Sequence, residues 1–150
     1  MIGLIQRVLE ANVSVDGSVV GEIGHGMLVL LGVEKEDGDA EIEKLANKLC
    51  KYRMFNDAEG KMNLNVEQVG GEILVVSQFT LVADTQKGNR PGFSRGATPE
   101  HGKAIYLKFV DVLKNKGIPI STGQFGADMK VRLLNDGPVT IWMDTADSAG

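Results

Sequence analysis

The chain has 150 residues, and its composition (43% hydrophobic, 24% charged) is enough for one domain with a core that needs no disulfide or metal. A single cysteine, Cys50, rules out an intrachain disulfide, and a net charge of −4 argues against a broad basic surface that coats nucleic acid. Any contact with RNA would be a local patch that reads one end.

Met1 to Arg7 lacks the basic-then-apolar pattern of a signal peptide. No stretch approaches the roughly 18 apolar residues of a membrane span, so a cytoplasmic protein is expected. Leu4, Ile5, Val8 and Leu9 begin a strand; Val13-Ser14-Val15 alternates, and Asp16-Gly17 signals a hairpin whose return strand carries Val19, Val20 and Ile23. Met27 to Leu31 is apolar on both faces, as a doubly buried strand is. Asp37-Gly38-Asp39 opens a helix with Ile42, Leu45, Ala46 and Leu49 on one face; Arg53 falls near that face and Cys50 and Tyr52 beside it.

Residues 55–61 form a turn-rich loop, and 62–66 a short strand. After Gly70-Gly71, a second doubly buried strand runs from Ile73 through Ser77-Gln78-Phe79-Thr80-Leu81. Residues 84–98 are a loop. Thr98 caps a second helix with Pro99 in its first turn, an apolar stripe of Ile105, Phe109, Val112 and Leu113, and a Gly117/Pro119 stop. Residues 118–122, 129–134 and 139–143 complete the sheet, and 145–150 reads as a frayed tail. The order is two strands, two strand-helix units and three closing strands. Two helices cannot cover both faces of so much sheet, so a single-domain α/β fold in three layers, sheet/sheet/helix, is expected.

Three segments could carry chemistry. On a strand, Gln78 and Thr80 share one face while Ser77 and Phe79 share the other. These polar groups either pair with nearby backbone or form a ligand site at the carboxyl end of the strand. Asn135-Asp136-Gly137-Pro138-Val139-Thr140 is either a plain hairpin turn or a rigid loop that presents bare carbonyls, with an X-Pro bond open to the cis form. Lys87, Arg90 and Arg95, with Asn89 and Ser94, are either solvated or in contact with phosphate. His25 and His101 do not form a recognisable triad with Ser77 or Thr80. No G-x-S-x-G elbow, H-E-x-x-H, P-loop or dinucleotide fingerprint occurs, and Cys50 sits among apolar helix neighbours.

Along essentially its whole length the chain resembles the D-aminoacyl-tRNA deacylase family. The resemblance rests on Met1 to Arg7, Gly32-Val33-Glu34, Phe55-Asn56-Asp57 and Lys61-Met62-Asn63-Leu64-Asn65. It rests above all on Ser77-Gln78-Phe79-Thr80-Leu81 and Asn135-Asp136-Gly137-Pro138-Val139-Thr140. The run Arg90-Pro91-Gly92-Phe93-Ser94-Arg95-Gly96-Ala97 departs from the family's R-P-S-F-S-K-G-A, with Gly92 for Ser and Arg95 for Lys, and Ile141 stands where Phe is frequent.

The resemblance implies a homodimer with active sites at the subunit interface and no metal or cofactor. Ser77, Gln78, Phe79 and Thr80 would line the site, with Arg7 and Met129 on the substrate. A cis Gly137-Pro138 loop would reach in from the other subunit and exclude L-amino acids. Lys87, Arg90 and Arg95 would guide the acceptor end of the tRNA. D-aminoacyl-tRNA is the implied substrate, and glycyl-tRNA, with no Cβ to clash, would also be hydrolysed. Either Thr80 attacks the ester, or water does so with help from the ribose 2′-hydroxyl and the backbone amides near Phe79 and Thr80. An RNA-end-binding module without chemistry and a small-molecule esterase are the rival readings.

Overall fold

Residues 1–147 are described in the computed structural model of the protein; 148–150, the last part of the expected tail, lie outside them. The first strand, β1 (Ile2–Val15), runs unbroken through both apolar segments of the N-terminal region. The hairpin signal holds: Asp16 and Gly17 both take positive φ, and β2 (Ser18–Ile23) returns antiparallel to the second half of β1. β3 (Gly26–Gly32) pairs antiparallel with the first half. β4 (Phe55–Asn56) and β5 (Met62–Leu64) form a small separate hairpin. β6 (Glu72–Ser77) lies parallel to β3, and β7 (Ile120–Thr122) parallel to β6.

Each parallel step is made by a helical crossover. α1 (Asp39–Lys51) starts where the Gly38 N–H donates to Glu41 Oε2 at 3.0 Å, and it buries Ile42, Leu45, Ala46, Leu49 and Cys50. It stops before Tyr52, which is extended, and both Tyr52 and Arg53 are exposed and outside the helix rather than on its face. α2 (Pro99–Asn115) is capped by Thr98 Oγ1, which accepts from the His101 N–H at 3.2 Å.

The closing part of the chain differs from the sequence expectation. Residues 129–134 and 139–143 are not two strands but one, β8 (Lys130–Asp144), paired with β1 from Ser14 opposite Lys130 to Ile2 opposite Asp144. Two strands therefore close the fold instead of three. Asn135 lies opposite Val8 and Thr140 opposite Gln6, so residues 136–139 bulge out opposite Arg7 alone. The Asn-Asp-Gly-Pro run is a bulge within a ladder and not a hairpin turn. Register on both sides is already fixed by the apolar pattern of β1.

The result is an α/β domain with one six-stranded mixed sheet, ordered β2-β1-β3-β6-β7 with β8 on β1, and two α-helices among the described residues. The sheet curls until β2 approaches β7: Ser121 Oγ donates to the Glu22 carbonyl at 3.0 Å. Gly21 makes this approach possible, since a Cβ there would fall 2.2 Å from the Thr122 carbonyl oxygen. One apolar cluster fills the space between sheet and helices around Ile5, Val29, Leu49, Val75 and Phe109. A second, with Val8, Val13, Leu28, Leu74 and Val76, fills the inside of the curl. The start of the expected tail is tied back: the Thr145 N–H donates to the Met1 carbonyl at 2.9 Å, and Lys44 Nζ donates to the Thr145 carbonyl at 2.7 Å.

Gly21→Ala should therefore push β2 off β7. A cost of about 2–3 kcal/mol and a fall in Tm of roughly 5–10 °C are expected in thermal melts. An unchanged Tm would show that the two strands do not need this contact.

Candidate active site

β6 ends where its parallel partner ends. Leu31 opposite Ser77 is the last pair, and the Gln78 N–H donates to the Leu31 carbonyl at 2.8 Å. The chain then winds into a short 3-10 turn, Phe79–Val82, with Leu81 N–H on the Gln78 carbonyl and Ala83 N–H on the Thr80 carbonyl. Gly32 leaves room for it: a Cβ there would lie 2.9 Å from Leu81 Cβ and 3.2 Å from Val82 Cγ1. The strand alternation expected for 77–81 therefore stops at Ser77. The turn instead brings Gln78 and Thr80 into direct contact, the Gln78 amide donating to Thr80 Oγ1 at 3.0 Å.

This turn borders a cavity of about 530 Å³. Leu31, Val33 and Val76 form its floor, Ser77 to Thr80 one wall, and Ala97 to Pro99 with Gly102 another. Phe125 to Ala127, Met129 and Val131 form the far side. Gly102, buried in α2, lies beside the Phe125 ring, whose centroid is 5.8 Å from that of Tyr106 in a tilted pair. The lining residues include no titratable side chain. The N–H groups of Phe79 and Thr80, at the start of the turn, meet no protein acceptor among the described residues.

The remaining candidates scatter. His25 packs edge-on against Phe55, and His101 Nε2 lies 2.8 Å from the Asp37 carbonyl, so neither contacts Ser77 or Thr80. Cys50 is buried in the helix-side core, where desolvation pushes its thiol up to about 11; the Lys116 charge only partly offsets this. Met129 lines the cavity.

Arg7 does not line the cavity. It is 6% exposed, its Nε donates to the Asp136 carbonyl at 3.0 Å, and Nη1 donates to the Met54 carbonyl at 2.9 Å. Asp136 Oδ2 lies 3.3 Å from Nε, and the Asn135 amide donates to the carbonyls of Arg7 and Val139. Arg7 thus holds the 136–139 bulge instead of facing the pocket, a role that sequence reasoning missed. The Gly137–Pro138 bond is cis, both residues are exposed, and neither belongs to the cavity of the same chain. Lys87 and Arg90 are exposed and form no ion pair among the described residues, whereas Arg95 donates to the Val82 carbonyl at 3.5 Å. Gly92 bridges Asp84 across the base of this loop.

Both motifs of the earlier resemblance are thus structured features, one a pocket wall and the other a clamped bulge. A family model described as D-Tyr-tRNA(Tyr) deacylase matches residues 4–144. The chain belongs to this family. A D-aminoacyl-tRNA deacylase of Alteromonas mediterranea is 83% identical over 94% of this chain and 97% of its own, and one of Shewanella loihica is 60% identical over the same shares. Among solved structures, the c-Myc DNA Unwinding Element Binding Protein is similar at a TM-score of 0.93 and 39% identity, covering 98% of this chain and 100% of that one. A probable eukaryotic D-amino acid tRNA deacylase shares the deacylase fold, with a TM-score of 0.81 at 17% identity over 95% of this chain and 97% of its own.

The burial of Cys50 has a direct readout. At pH 8 a thiol raised from 9.0 to about 11 holds about 100-fold less thiolate, so a disulfide reagent should label the folded chain very slowly and the urea-unfolded chain at once. Rapid labelling of the folded chain would place Cys50 at the surface.

Proposed function

We propose that the chain hydrolyses the ester that joins a D-amino acid to the terminal ribose of tRNA, releasing free D-amino acid and tRNA. The observation that carries this reading is the uncharged cavity at the carboxyl end of β6, with two unpaired backbone N–H groups and the Gln78–Thr80 pair on its lip. Membership of the deacylase family supports it.

The chemistry follows from what lines the cavity. A Thr nucleophile needs a base to take its proton. The lining has none, and the Gln78 amide occupies the Thr80 oxygen as a donor without drawing off its hydrogen. Water, whose proton the substrate's own 2′-hydroxyl can take, is the nucleophile. It adds to the ester carbonyl, the oxyanion rests on the N–H groups of Phe79 and Thr80, and the bond to the ribose oxygen breaks. The neighbouring 2′-hydroxyl of the terminal ribose accepts a proton from that water and hands its own to the departing 3′-oxygen, so the substrate supplies the proton relay that the lining lacks. An aminoacyl ester is already activated, so this help suffices.

Chirality is read by the Gly137–Pro138 bulge of a second copy. Within one chain it is exposed and outside the cavity, yet clamped by Arg7 and Asn135, as suits a rigid element used in trans. Its carbonyls occupy the space of an L side chain, so L-aminoacyl esters are rejected by clash rather than by weaker attraction. A D side chain points to solvent, and glycyl-tRNA enters because it has no Cβ. The working unit is then a homodimer. The two core clusters support a sheet/sheet/helix layering of each subunit. Lys87, Arg90 and Arg95 meet phosphates of the acceptor end, and the site of action is the cytoplasm, where tRNA is charged.

Purified protein should consume D-tyrosyl-tRNA and glycyl-tRNA and spare L-tyrosyl-tRNA. A glycyl ester as stable as an L-alanyl ester would refute the steric filter. Survival of both tyrosyl esters, beside a control deacylase that consumes the D form, would make this an RNA-end-binding module. Thr80→Ala should lower kcat less than about tenfold, the loss of one hydrogen bond, in single-turnover assays; near-complete loss would make Thr80 the nucleophile.

A further inference from the structure

Two aromatic rings stand in water at the mouth of the cavity. Phe79 is 68% exposed, the highest fraction among the large exposed apolar side chains, and Phe93 is 41% exposed. Their ring centroids lie 5.2 Å apart at an interplanar angle of 54°. Single exposed apolar residues are ordinary, but two contiguous phenyl rings beside a pocket are not. Neither ring joins either core cluster, so neither contributes core burial. None of the other large exposed apolar residues, such as Leu9, Val19, Leu107 and Trp142, lines the cavity.

The charge around the pair is selective. Phe93 lies on the loop that carries Lys87, Arg90 and Arg95, against one carboxylate, Asp84, in a chain of net charge −4. The Asp84 carboxylate is engaged by the Gln86 N–H, and the Asp84–Gly92 bridge closes the base of the loop, so its tip presents Lys87 and Arg90 to solvent. Aromatic faces interleaved with unpaired cations are the chemistry that holds single-stranded nucleic acid without reading its sequence. The cavity itself has room for one nucleoside and its acyl group, so the preceding nucleotide of the same strand must leave by the mouth.

We propose that Phe93, backed by Phe79, is the stacking platform for the unpaired nucleotide that precedes the terminal adenosine of the substrate, with Lys87 and Arg90 on its phosphates. This rests on the deacylase reading above and adds a recognition element outside the reacting site. Phe93 is a positioning residue: it touches no reacting atom, and it acts by fixing the strand from which the ester hangs.

The test compares two substrates that share the terminal adenosine and the ester, D-tyrosyl-tRNA and 3′-O-D-tyrosyl-adenosine, which lacks the preceding nucleotide. Phe93→Ala should lower kcat/KM on the tRNA ester at least about fivefold, the value of one base stack, and leave the adenosine ester unchanged. Phe93→Trp should restore the tRNA rate. Equal losses on both substrates would overturn the proposal, because a ring that merely fastens its loop acts on both alike. No loss on either would also overturn it. A shift of the monomer–dimer equilibrium in sedimentation by Phe93→Ala would assign the ring to a subunit contact instead. If the unaltered protein hydrolyses neither ester, the deacylase reading itself fails, and the platform fails with it for a distinguishable reason.

Discussion

β1 hydrogen-bonds on both sides along nearly its whole length, to β8 throughout and to β3 and β2 in turn. Its buried residues Ile5, Val8 and Val13 point into both core clusters. A one-residue slip of this strand would turn those side chains to the wrong face of every partner at once. The positions of the cavity and of the bulge both descend from this ladder. β3, set by β1, fixes where β6 can run and where it must stop. β8, set by β1 on either side of Arg7, is forced to bulge between two registers.

The cavity owes its character to what is missing from its lining. Within one chain no charged or titratable side chain lines it, and its polar side chains are an amide and hydroxyls. On the proposed reading, such a site stabilises developing charge at fixed points, which suits an ester that is reactive before it arrives. The 3-10 turn is what exposes the N–H groups of Phe79 and Thr80.

Arg7 links the two halves of the molecule that sequence reading kept apart. Its buried guanidinium spends its donors on the carbonyls of Asp136 and Met54 and on Asn56 Oδ1. A cation this buried is stable only when its donors are met, so the bulge is held by the same contacts that satisfy the charge. Rigidity in an exposed, side-chain-poor loop thus comes from beneath it.

The sequence by itself determined the elements whose signals are local: the Asp16-Gly17 hairpin, the capped helices with their apolar stripes, the doubly buried strands and the two polar motifs. Period, cap and turn chemistry act over a few residues, so they can be read in order along the chain. Only the tertiary structure decided that 129–134 and 139–143 are one strand, that Ser77 ends β6, that Arg7 serves the bulge and not the pocket, and that Phe79 and Phe93 meet at the cavity mouth. Each of these depends on partners tens of residues away, and register, burial and ring contact exist only once the long-range ladder around β1 has closed.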